Sequence, residues 1–376
     1  MNNNFKNVIV SKFSSDVLNL ISELNYYAEK FSVKLFFIGG LVRDLIMDTD
    51  ISDIDILVEG SAIDFCSGCD ICEIISIHHD FGTVKCKVKG FDIDFASTRC
   101  ENYPQSGCLP EVVKIGVPLE EDLKRRDFTV NAIALSLSDF SIVDYFKGAE
   151  DIKNKTLKIL HKNSFIDDPT RILRGLDFSI RFDFMFDDYT KQALNSYLDI
   201  AQDLRSALSV SRVELTLDKI LAHGEVSYNN IIQNKYYKIF RDDAVQITYQ
   251  DIAQASKLFQ VSEVELAKFA LLNNCLSPDF NISSDYNIYL SCKKYSNFEL
   301  AKFYMCGFFK QEILKYQNDL RDISVCLTGS DLITLGYKQG KLIGDILNNI
   351  LEYRINSKKI LTKDEEIAFV LDNFKK

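Results

Sequence analysis

Between residues 13 and 31, apolar side chains recur at three- and four-residue intervals (Val17, Leu18, Leu20, Ile21, Leu24, Ala28), which predicts an amphipathic helix. The pattern then changes. "VKLFFIGG" is a continuous apolar run stopped by two glycines and reads as a buried strand; "LVRDLIM" suits a short helix and "DIDILV" a second strand. "TVKCKVKGFDIDFAS" alternates with period two and breaks at Gly90, as in a hairpin, and "DFTVNAIAL" and "FSIVDYF" can complete a small mixed sheet. From Asp167 onward the period is helical: "DPTRILRGLDFSIRF", "TKQALNSYLDIAQDL", "SRVELTLDKILAH" and "VELAKFALLNN" are separated only by short polar breaks. Near the end, "TGSDLITLGYKQGKLIGDILNNILEYRI" reads as helix, glycine-containing turn, helix. The predicted class is α+β: a small mixed-sheet head over 1–150, a helical neck over 151–225, and an all-helical body and tail over 226–376.

Composition adds less. The chain has 376 residues, enough for two or three domains, and its 47% hydrophobic content suits a globular protein with an ample core. No run of about 18 apolar residues predicts a membrane span, and "MNNNFKNVIVSKF" lacks a secretory pattern. The expected setting is cytoplasmic, with the ten cysteines reduced. A net charge of -10 disfavours nucleic acid as a partner, yet residues 147–174 carry seven Lys/Arg against four acids. Charge alone decides nothing.

The chemistry concentrates in "GGLVRD…DID". Residues i and i+2 of a strand share a face, so Asp53 and Asp55 project together from an otherwise apolar run. Paired carboxylates repel and raise each other's pKa unless a cation neutralises them. Two Mg2+ ions about 4 Å apart, shared with a nucleoside triphosphate, are the usual occupants of such a pair. Gly39 and Gly40 ahead of a helix let backbone N–H groups approach phosphate, and Arg43 adds a positive fork. Asp94, with Asp92 two residues earlier, is a candidate third carboxylate, although a polar sheet-edge position would read the same way. Cys66, Cys69 and Cys72 have C-x-x-C-x-x-C spacing. Three ligands lack an evident fourth, although His78, His79 or Cys86 could supply one; they read here as reduced thiols with no metal.

In fixed order, "GGLVRD…DID" (39–55), "DFASTRCENYPQSGCLPEV" (94–112), "EDLKRRDFTVNAIAL" (121–135), "VDYFKGAEDI" (143–152) and "FIDDPTRILRG" (165–175) resemble the class II tRNA nucleotidyltransferases and bacterial poly(A) polymerases of the polymerase beta superfamily. "SRVELTLDKIL" and the tail segment echo the same family. The resemblance implies a nucleotidyltransferase head and template-independent addition of C and A to the tRNA 3′ end, from CTP and ATP, with Mg2+. Narrower or broader output (CC-adding, A-adding, poly(A)) is the near alternative, and a catalytically silent RNA-binding module the remote one. No protein partner is implied.

Carried over by position, Gly40 and Arg43 would bind the triphosphate, and Asp53 and Asp55 the metals. Arg126, Asp127 and Asn131 would contact ribose and phosphates, with 127 and 131 expected one helical turn apart; alternatively, Arg125 and Arg126 would form a solvated basic patch. Asp168 and Arg171, expected on one helix face, would read the base edge, with Arg174 beside them. One accepts and the other donates hydrogen bonds, which suits the amine and unprotonated ring nitrogen shared by cytosine and adenine. Asp168 could also serve simply as an N-cap before Pro169. Asp177 stands where the family often has an arginine, leaving Arg174 or Arg181 to compensate. Residues 99–110 read as a mobile loop of the kind that favours A incorporation in the family. Lys338, Lys341 and Arg354 are candidate phosphate partners in the tail.

Overall fold

The computed structural model describes residues 12–50 and 53–375; the opening segment read above for a leader therefore lies largely outside the described residues. The described residues divide into two compact units, one ending at Ala244 and the other beginning at Val245.

The first unit begins with the predicted helix, Ser15–Lys30, whose N-cap Ser14 accepts a hydrogen bond from the Val17 amide. It leads into a seven-stranded mixed sheet. Its strands are β1 (Lys34–Ile38), β2 (Ile54–Glu59), β3 (Cys72–His78), β4 (Thr83–Val88), β5 (Phe91–Ser97), β8 (Ala134–Ser136) and β9 (Ile142–Val143), in the order β3-β4-β5-β2-β1-β8-β9. Only β2 and β5 run parallel, joined through the helix Ala62–Gly68 and the β3–β4 hairpin. β3 was not anticipated, because Cys72–His78 is largely exposed and lacks an apolar alternation.

The central strands are buried on both faces. Phe36 and Ile38 of β1 and Leu57 of β2 pack with Leu119 and Leu123 of the helix Leu119–Lys124. Burial of each such side chain contributes about 1.5–3 kcal/mol, and this packing makes the sheet a rigid mount for carboxylates on its rim.

Segment 99–110 departs from the expectation of a mobile loop. Arg99–Asn102 (β6) and Glu111–Ile115 (β7) pair as an antiparallel ribbon, and the intervening turn is tied down by Gly107 N–H donating to Asp167 O (3.2 Å). That bond spans 60 residues, so local composition could not reveal it.

Beyond the sheet come the helices Thr170–Phe182, Asp188–Leu204, Val210–Leu221 and Glu225–Gln233, with one short parallel pair, Thr156–Leu157 and Met185–Phe186, as the sole departure from helix among the ladders of 151–225. Gly175 governs how closely the first of these helices docks. A Cβ there would stand 2.5 Å from the Phe186 ring and 2.9 Å from Phe128.

Among its described residues the second unit has helices as its only regular elements, from Tyr249–Phe259 to Lys363–Asn373. Its last three helices enclose Leu332, Ile346, Ile350 and Val370. Two expectations are corrected here. Cys275 and Cys306 are bridged by a disulfide, their Cα atoms 5.8 Å apart after two helix ends converge, so not all ten cysteines are thiols. Arg354 is not a free phosphate partner. It pairs with the fully buried Glu366, which also accepts from the Cys326 and Leu327 amides, whereas Lys338 and Lys341 are exposed.

Candidate active site

β1 ends in a turn only glycine enters readily: Gly39 has φ 65° and ψ −127°. The turn starts the helix Gly40–Met47 directly beneath a cleft of about 590 Å³. Gly39, Gly40, Arg43, Asp53, Asp55, Arg126, Asp127, Asn131, Asp168, Arg171 and Arg174 all line this cleft. Asp94 does not. It lines an adjoining cleft that shares Asp55, together with Lys85 and His78.

The carboxylate cluster follows from register. Asp55 on β2 is the direct partner of Asp94 on β5 in the parallel ladder, and Asp53 sits just ahead of β2. Burial, then Asp94, then Asp53 raise the Asp55 carboxyl above its ordinary value, while Arg126 pulls the other way. Crowded oxygen donors whose ionisation is opposed suit a hard divalent cation, and Asp53 and Asp55 are the residues that would hold it.

Arg43 is buried and anchored. Its Nε and Nη2 donate to Asp44 Oδ1 (2.9 and 2.8 Å) and its Nη1 to Asn131 Oδ1 (2.8 Å), with the guanidinium over the Phe178 and Phe182 rings. Asp127 and Asn131 do meet (Nδ2 to Oδ1, 3.1 Å), but not one turn apart on an α-helix. Asp127 precedes a short 3-10 turn, Thr129–Asn131, and its carboxylate accepts from the Phe128 amide. Burial opposes the Asp127 charge; Arg174 at 2.6 Å, Asn131 and Arg171 outweigh it and hold the carboxyl below its ordinary value.

Arg125 and Arg126 do not form a solvated patch. Both bind Asp122, a fully buried carboxylate (2.8 and 3.0 Å), and Arg125 also reaches Glu101 (2.9 Å), which pairs with Arg99 (2.7 Å). Arg126 Nε is buried without a hydrogen-bond partner among the described residues. Its spare donor fits an anionic oxygen. In all, the cleft gathers eight arginines and Lys219 against six carboxylates.

Asp168 and Arg171 reach the same wall by different routes from those expected. Asp168 is extended (φ −139°, ψ 96°), one residue ahead of the N-cap Pro169 of the helix Thr170–Phe182, so the two do not share a helix face. Proline disfavours helical backbone in the residue before it. Asp168 Oδ1 accepts from Thr170 N and Oγ1 (3.1 and 2.6 Å), and Oδ2 from Arg212 Nη2 (2.7 Å). Arg171 donates to Ser164 Oγ (2.7 Å), Arg125 O (2.9 Å) and Tyr103 OH (3.3 Å). Asp177, at the position of the family arginine, binds His223 Nε2 (2.9 Å) and Arg181 (3.3 Å), and Arg174 and Arg181 both line the cleft.

Sequence reasoning missed Arg99, Glu101, Tyr103, Asp122 and Arg212. Arg212 was the findable one, because it lies in "SRVELTLDKIL". It clamps the 103–110 turn, donating to Gly107 O (3.1 Å) and Cys108 O (3.3 Å) while it holds Asp168.

A mixed sheet with rim carboxylates, a double-glycine turn and an arginine-lined wall has the architecture of a nucleotidyltransferase head. Residues 35–158 match the family model of the poly A polymerase head domain. The chain is 37% identical over 194 residues (49% of its length) to an A-adding tRNA nucleotidyltransferase of Aquifex aeolicus, and 32% identical over 204 residues (54%) to a CCA-adding enzyme of Staphylococcus epidermidis. It spans only 23% and 49% of the length of these two relatives. Its fold matches a CCA-adding enzyme in an apo form with TM-score 0.72 and 25% identity, covering 98% of both chains. Among the described residues, no helix is long and apolar enough to cross a membrane.

Proposed function

We propose that the protein is a template-independent tRNA nucleotidyltransferase that adds C and A to the tRNA 3′ end from CTP and ATP. The observation that carries this reading is the convergence of Asp53 and Asp55 with Asp168 and Arg171 in one arginine-lined cleft. Triphosphate-facing cations, metal-type carboxylates and a base-edge donor and acceptor thus share one space. The relatives named for A addition and CCA addition support tRNA as the acceptor.

In this reading Arg126, with its spare Nε, and Arg174 hold phosphate oxygens, while Arg43 braces Asn131 against the ribose side. Asp53 and Asp55 would hold Mg2+, which when bound would activate the attacking 3′-hydroxyl and neutralise charge on the departing pyrophosphate. Asp168 accepts from the exocyclic amine of C or A, and Arg171 donates to the ring nitrogen. Uracil and guanine present the reverse pattern and leave both groups mispaired. The helical residues 226–376 bind the acceptor arm through shape and phosphate. The protein acts in the cytoplasm.

A-only addition is the second reading, favoured by the name of the 37% identical relative. The retained 103–110 turn accords with A incorporation under either reading. Supplying tRNAs that end at the discriminator base, at C and at CC, with labelled CTP, ATP or both, separates them. C addition to the discriminator base supports complete CCA synthesis; A addition to CC ends without any C addition assigns the A-only activity. No incorporation in the presence of Mg2+ refutes both.

A further inference from the structure

A second cluster of reactive side chains lies away from the cleft, where the helix Ala62–Gly68 meets the outer hairpin of the sheet. Cys66 is in that helix, Cys69 caps its C-terminus, Cys72 opens β3, and Cys86 lies on β4. Cys72 and Cys86 are brought together by the β3–β4 register, which sets Cys72 opposite Val88 and Ile74 opposite Cys86. The Sγ atoms of Cys66, Cys72 and Cys86 all lie within 4.8 Å of one another, and none of the four cysteines is in a disulfide.

We propose that Cys66, Cys72 and Cys86, with Cys69 as the fourth ligand, form a tetrahedral zinc site that braces the head.

The spacing suits a single ion. Zinc–sulfur bonds of about 2.3 Å place tetrahedral ligand sulfurs about 3.8 Å apart, so the three sulfurs need only a small contraction. Ligands of a multi-iron cluster bind separate irons and stand farther apart. Cys69 stands beside Cys72, whose backbone N–H donates to the Cys69 carbonyl oxygen (2.9 Å), but its sulfur lies outside the set that is mutually within 4.8 Å and must swing inward to complete the tetrahedron. Cys66, Cys69 and Cys86 are at most 3% exposed and Cys72 is half-buried, so the ion would be largely closed to solvent, as suits a structural site.

The location defines the role. Cys86 pairs with Ile93, the neighbour of Asp94 on β5, and therefore belongs to the sheet face opposite the rim carboxylate. His78 is on the carboxylate side, lining the small cleft beside Asp55, and is not part of this set. The ion would tie the helix after β2 to the hairpin before β5, the two strands that carry Asp55 and Asp94.

The test is the metal content of the full chain, purified under reducing conditions without chelator, by inductively coupled plasma mass spectrometry. The expected result is one zinc per chain in the wild type and in Asp53→Ala, falling at least tenfold in Cys86→Ser and Cys66→Ala. Replacement of zinc by Co2+ should give thiolate-to-cobalt charge-transfer absorption, and chelation should lower the Tm of the wild type. Wild-type protein that is metal-free and takes up neither zinc nor Co2+ overturns the site, even if the cysteine variants fail to fold. So does zinc that persists in Cys86→Ser or leaves in Asp53→Ala.

Discussion

Asp55 on β2 and Asp94 on β5 stand opposite one another as register partners in the one parallel pairing of the head sheet. The two strands are 39 positions apart along the chain at these residues. Their pairing places like charges side by side, with Asp53 adding a third, and that arrangement sets the first expectation.

Because the folded state raises the Asp55 pKa, it binds that proton more tightly than the unfolded chain does. Without metal, the associated stability is fully present below the unfolded pKa and is lost as pH rises through the folded one. Asp55→Asn should therefore raise the metal-free Tm at pH 8 and change it little at pH 4, while lowering nucleotidyl transfer by at least about a hundredfold. Stabilisation by added Mg2+ should grow with pH in the wild type and vanish in the variant. Differential scanning fluorimetry across pH checks both statements.

Arg174→Ala removes the ion-pair partner of a fully buried carboxylate. Arg174 is itself half exposed, and Asn131 and the Phe128 amide remain on Asp127, so the loss should be about 1–3 kcal/mol rather than more. The folded Asp127 pKa is depressed by this pair, so the wild type's advantage is present above the unfolded carboxylate pKa and shrinks as pH falls through the folded one. Urea unfolding of both proteins at pH 7 and pH 3 measures the difference. An equal gap at the two pH values would contradict the assignment.

Arg212→Ala should relax base choice more than it weakens binding. It frees one oxygen of Asp168 and unclamps the turn at Gly107 and Cys108, leaving the metal carboxylates untouched. Misincorporation of UTP and GTP relative to CTP and ATP should rise about tenfold or more. If all four nucleotides lose activity in proportion, base selection does not run through Asp168. Arg171→Ala should show the same loss of discrimination, since its guanidinium is the donor half of the base-edge set.

Gly175→Ala tests the docking of the helix that carries Arg171 and Arg174. A methyl group at 2.5 Å from Phe186 and 2.9 Å from Phe128 forces a shift, which should cost about 1–3 kcal/mol. Since Phe128 follows Asp127 directly, the Asp127–Arg174 distance should change as well, and KM for nucleotide should rise with it. A variant as stable as wild type would show that this contact is slack.

What local chemistry encodes was readable without coordinates. Period-two alternation brings Asp53, just ahead of β2, and Asp55, on it, into one carboxylate pair, two adjacent glycines announce the turn before Arg43, and the helical period after Asp167 sets the fold class. Those signals span a few residues and depend only on backbone geometry. Tertiary structure decided everything that required distant segments to meet. The β2–β5 register chose Asp94 as the neighbour of Asp55, and Arg212 reached back 105 positions to fix Gly107. Burial turned Asp122 and Glu101 into anchors for three arginines, and the β3–β4 hairpin delivered Cys86 to Cys66 and Cys72. Pairing register and side-chain burial arise from the packing of the whole sheet, and no short window of the chain contains that information.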